Sequence, residues 1–88
     1  MKTIMDPDEA RHFAAFLEET SRDLRTQNTA ISRQLLELNV SWKDAKYNQF
    51  QHLFEEATED ISRFLSQADE YAMRLREKAK RVDRYLDS

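Results

Sequence analysis

Glycine and cysteine are absent from this 88-residue chain, and proline occurs once. Average usage would place about six glycines in a chain of this length. Glycine supplies the positive-φ positions of hairpin turns, bulges and phosphate loops. Its absence excludes a glycine-rich nucleotide loop and argues against a turn-rich sandwich or barrel. Without cysteine there is no disulfide and no thiolate metal site, and the redox compartment stays open. No apolar run approaches the ~18 residues of a membrane span. The opening Met1–Ala10 stretch lacks the apolar core of a signal peptide, so export, if it occurs, is expected without a cleaved signal. The charges, 14 Lys and Arg against 17 Asp and Glu, give a net −3. That balance argues against a general nucleic-acid binder. At this size one domain, residues 1–88, is the limit, and it buries only a modest share of its surface.

Two long periodic segments flank one short break. Asp6 can cap a helix that has Pro7 at its first position, where a missing N–H costs nothing. Glu9 stands three residues after Asp6, the spacing of a capping box. Ala10, Leu17, Leu24, Ile31 and Leu38 then recur every seven residues. The stripe is apolar at both ends, and at its centre Thr20, Ser21, Gln27 and Asn28 are small or polar. A polar residue on such a seam can fix register and partner choice, or it can lie at the seam's edge and face water. After a break at Asn39–Asp44, where Ser41 or Asp44 can cap, Tyr47, Phe50, Phe54, Ala57, Ile61, Phe64, Leu65, Ala68, Tyr71, Ala72, Leu75, Ala79, Val82 and Leu86 follow in steps of three and four, with few exceptions. The pattern predicts an all-α antiparallel hairpin: helix one over about 7–39, a turn over about 40–44, and helix two over about 45–86.

Charge is segregated along helix two. Glu55, Glu56, Glu59, Asp60, Asp69 and Glu70 make its middle acidic, and Arg74, Arg76, Lys78, Lys80, Arg81 and Arg84 make its end basic. Basic residues complement a helix C-terminus and form a solvated face. The sharper reading is a docking surface for an acidic protein partner at Arg74, Arg76, Lys80, Arg81 and Arg84. No aromatic interleaving or groove motif supports nucleic acid.

Two helices share a single interface, and helix two carries more apolar surface than one interface covers. Large exposed apolar patches on small soluble proteins mark interaction sites. A second hairpin is therefore expected to pack on the first and complete a four-helix bundle, through Leu17, Leu24, Ile31, Phe50, Phe54, Ile61, Phe64 and Tyr71. Homodimer and heterodimer with a related chain are equally compatible with this pattern.

Trp42-Lys43-Asp44 sits between the two helices, near the middle of the chain, with Ala45 next and Phe50 eight residues after Trp42. This layout resembles the WXG100 (ESAT-6-like) family, small helical hairpins whose mark is a Trp-x-Gly turn. Asp44 stands where the family has glycine. The resemblance implies a dimerising substrate or component of a type VII-like secretion pathway, or the partner of a secreted toxin or a secretion ATPase. The location it implies is cytoplasmic before export. The family's Tyr-x-x-x-Asp/Glu export signal has no counterpart here: Tyr47 is followed by Gln51 and Tyr71 by Leu75. Trp42 and Asp44 are expected either to close the end of the core or to form a recognition surface.

Enzymatic readings are weak. Glu9 and His12 form one Glu-x-x-His motif where a di-iron bundle needs two, and no nucleophile elbow or oxyanion loop exists without glycine. His12 and His52 are expected at the surface. No catalytic residue, cofactor, metal or small-molecule substrate is expected. The competing classes are a cytoplasmic adaptor or chaperone holding one client through the same apolar face, and a plain coiled-coil module.

Overall fold

A computed structural model describes residues 5–87. The first four residues of the Met1–Ala10 stretch, read as lacking a signal-peptide core, fall outside them, as does residue 88 of the single-domain span. Two helices, α1 (Pro7–Leu38) and α2 (Ala45–Asp87), pack side by side as a hairpin, and no strand occurs among the described residues. At about 1.5 Å per residue the 43 residues of α2 account for the long dimension of 66 Å.

Each helix starts on an aspartate. Asp6 is extended and its Oδ1 accepts from the N–H groups of Asp8 (2.9 Å) and Glu9 (3.4 Å), with Pro7 following at the first helical position. Asp44 Oδ1 accepts from the Tyr47 N–H at 3.1 Å, so Asp44 rather than Ser41 caps α2. Ser41 serves the other helix: its N–H and its hydroxyl both donate to the Leu38 carbonyl, which also receives the Trp42 N–H. The end of α1 is thus closed by local bonds. No described residue takes a positive φ, which is how a chain without glycine makes this turn.

The seam between the helices is built from small residues in the half away from the turn. Ala10, Ala14 and Ser21 of α1 and Ala68, Ala72 and Ala79 of α2 are buried. Small side chains let helices approach closely, so most of this contact is dense packing rather than large side-chain burial. Toward the turn the buried residues grow to Leu35, Leu65 and Tyr47, the last only 1% exposed. The polar centre of α1 divides. Asn28 Oδ1 accepts from the Thr58 hydroxyl across the seam at 3.4 Å, and buried Ser21 accepts from Arg25 at 2.7 Å. Gln27 faces outward.

Candidate functional site

Three features of the hairpin bear on function: its tip, its two flanks and the end of α2. At the tip, Trp42 meets Tyr47 edge to face, with ring centroids 5.4 Å apart and planes at 80°. The Tyr47 hydroxyl donates to the Leu35 carbonyl at 3.1 Å and so ties the start of α2 to the end of α1. Hydrogen bonding from the nearby Trp42 side chain, followed by the Tyr47 N–H, holds the Asp44 carboxyl below its ordinary pKa. Trp42 is half-buried. Asp44 itself remains exposed at the apex.

The two flanks of the seam differ. On the α1 wheel, at 100° per residue, Arg11, Glu18 and Arg25 lie on one side of the buried Ala10–Ala14–Ser21 line, and Phe13, Leu24 and Ile31 on the other. The charged flank pairs across the hairpin. Arg11 meets Asp83, Glu18 meets Arg76 at 2.5 Å, and Arg25 meets Asp69 at 2.9 Å. Both helices step by seven between rungs, and the sign alternates along each helix. The Arg76 hydrogen bond lowers the pKa of Glu18, and the same bond raises that of Arg76.

The opposite flank is apolar and uncovered. Phe13 (50% exposed), Ile31 (48%), Phe50 (48%), Phe64 (59%) and Tyr71 (57%) stand open to solvent on it. Phe13 and Leu17 of α1 join Phe64, Gln67, Ala68 and Tyr71 of α2 around an open groove of about 290 Å³. Leu24 and Ile61 lie at the margin between exposed and half-buried, and Leu17 and Phe54 are half-buried. The expected interface residues therefore occupy the lips of the seam, while alanines fill its floor.

At the end of α2, Lys80, Arg81 and Arg84 are exposed, and Arg74 pairs with Glu70 one turn earlier at 2.6 Å. Arg76 is different, because its guanidinium turns back onto Glu18 and belongs to the hairpin. His12 and His52 are exposed, and no three His, Asp or Glu side chains gather into a metal-holding group among the described residues.

Sequence reasoning missed the alanine floor, the anchoring role of Tyr47 and the ion-pair ladder. The signals were present. Ala68, Ala72 and Ala79 repeat at four and seven, and charges of alternating sign stand at 11, 18 and 25 and again at 69, 76 and 83. Comparison with models of known families, with curated proteins and with solved structures gave no match.

Proposed function

We propose that this chain is a non-enzymatic helical hairpin, similar to WXG100 proteins, which pairs with a second hairpin in a four-helix bundle. In this reading it works as a substrate or component of a type VII-like secretion pathway, or as the partner of a secreted toxin. The observation that carries the proposal is the uncovered apolar flank. Burying one such side chain contributes about 1.5–3 kcal/mol, and a small domain has only about 5–15 kcal/mol in total. A face holding Phe13, Phe50, Phe64 and Tyr71 is therefore a strong drive toward association. The Trp42–Asp44 tip and the exposed cations Lys80, Arg81 and Arg84 offer both ends of the rod to secretion or cargo partners.

A second reading, an adaptor that holds one client, is favoured by the groove between Phe13 and Tyr71, whose open floor admits an inserted side chain. Location separates the two. Secretion requires the chain in the culture filtrate, and its loss from there when the secretion ATPase is inactivated. Retention in the cell with that pathway intact sinks the secretion reading. The bundle is tested by light scattering and co-expression: a stable, fully helical monomer at micromolar concentration that also captures no co-expressed related hairpin removes the association argument.

A further inference from the structure

We infer that the occupant of the apolar flank is a second copy of this chain, laid with its turn at the opposite end and its α2 antiparallel to the first about Gln67. The inference rests on the bundle reading above and names its partner.

The argument starts from one stripe of α2. Steps of four and seven keep Glu56, Asp60, Gln67, Arg74 and Lys78 within about 40° of one another on the helix. Arg63 and Glu70 lie on the same stripe, one step to its side. All seven are exposed, and Gln67 also lines the groove, so the stripe borders the apolar flank. Read outward from Gln67, the signs invert. On one side come Arg63 (positive), Asp60 and Glu56 (negative). On the other come Glu70 (negative), Arg74 and Lys78 (positive).

A two-fold axis through Gln67 therefore sets Asp60 opposite Arg74 and Glu56 opposite Lys78, with Arg63 beside Glu70, and each contact occurs twice. An isologous interface needs this self-complementarity. Within one chain Asp60 already pairs with Arg63, and Glu70 with Arg74. Such exposed pairs hold weakly, so they extend into a network across the axis without a large cost. The axis also brings Gln67 against its own copy, one uncharged amide pair at the centre of the charged stripe. A related but different hairpin has no need of this symmetry within α2.

The test uses the full chain. Glu56→Lys with Asp60→Lys makes the stripe mainly positive, and Arg74→Glu with Lys78→Glu makes it mainly negative. Light scattering should show a wild-type dimer that weakens with salt. Either double variant alone should self-associate roughly tenfold or more weakly, and a one-to-one mixture should recover wild-type affinity as a heterodimer. Circular dichroism confirms that each variant is helical. Independently, Gln67→Cys introduces a lone thiol that should oxidise to a covalent dimer, whereas Ser62→Cys, on the charged flank, should not. If the wild type is monomeric alone but captures a co-expressed related hairpin, the second copy is overturned and the bundle stands. If the wild type dimerises but the mixture gives no recovery and Gln67→Cys does not cross-link, the antiparallel arrangement about Gln67 is overturned.

Discussion

The Tyr47 hydroxyl donates to the Leu35 carbonyl at 3.1 Å, across twelve residues of chain and the whole turn. Leu35 also accepts the Asn39 N–H, so its carbonyl serves the end of α1 and the start of α2 together. With Trp42 edge-on to the same ring, the tip is set by one buried tyrosine.

Replacing Tyr47 with Phe isolates that hydroxyl. The Leu35 carbonyl keeps its bond from Asn39, so no buried acceptor is orphaned. The expected loss is about 0.5–1.5 kcal/mol, read as a lower urea midpoint with an unchanged slope. Tyr47→Ala should cost about 3–5 kcal/mol, because it also empties the space under Trp42. Equal effects from the two substitutions would show that the hydrogen bond, not the ring, holds the tip.

The alanine floor makes a second prediction. Ala72 is fully buried where the helices meet, and Ala15 is exposed on the outer side of α1. Ala72→Leu should force the helices apart and cost about 1–3 kcal/mol. Ala15→Leu should stay within about 0.5 kcal/mol. Tolerance of leucine at both positions would mean that the helices are not in close contact at Ala72.

The hairpin itself was legible from the period of the apolar residues, the Asp6–Pro7 start and the lack of any breaker in α2. What was not legible is which residues face the partner helix and which face outward. Periodicity marks an apolar side, but Phe64 and Ala68 lie on the same broad face. Only the relative rotation of two helices decides that alanine goes inside and phenylalanine to the lip. The Asp44 cap was readable as one of two choices, because an aspartate before a helix has one dominant role. The effect of Trp42 on that carboxylate was not, since it depends on how the turn folds back. Arg76 read as a free cation because its partner, Glu18, lies 58 residues away.

Alternating charge on the ladder should set the register of the hairpin. A slip of seven residues in one direction brings Arg11 to Arg76 and Glu18 to Asp69. A slip the other way brings Glu18 to Asp83 and Arg25 to Arg76. Every such contact is between like charges, so both neighbouring registers are penalised. Glu18→Arg alone, or Arg76→Glu alone, should lower the melting temperature, and the double swap should restore most of the loss. A double swap no better than its singles would show that the rungs do not interact. Spin labels placed on α1 and α2 should give a broader distance distribution in the single variants than in the swap, since like charges at one rung flatten the preference for the native register.

Acid should act on the same contacts. Glu18 sits below its ordinary value of 4.5 because Arg76 binds the carboxylate, and Asp44 below 3.8 because Trp42 and the Tyr47 N–H do. A carboxyl whose folded pKa is depressed contributes stability above its unfolded value. That contribution is lost as pH falls through the folded one. Stability should therefore hold down to about pH 4.5 as far as these two groups are concerned, then decline through and below 3.8 as both take up protons. Asp44 is exposed and Glu18 only half-buried, so each contribution is small and salt should reduce that of Glu18. The decline should shrink in Glu18→Gln and shrink further when Asp44→Asn is added, because neither amide titrates. Urea unfolding followed by circular dichroism between pH 7 and pH 3 checks this, and an undiminished acid slope in the double variant would place the sensitive carboxylates elsewhere.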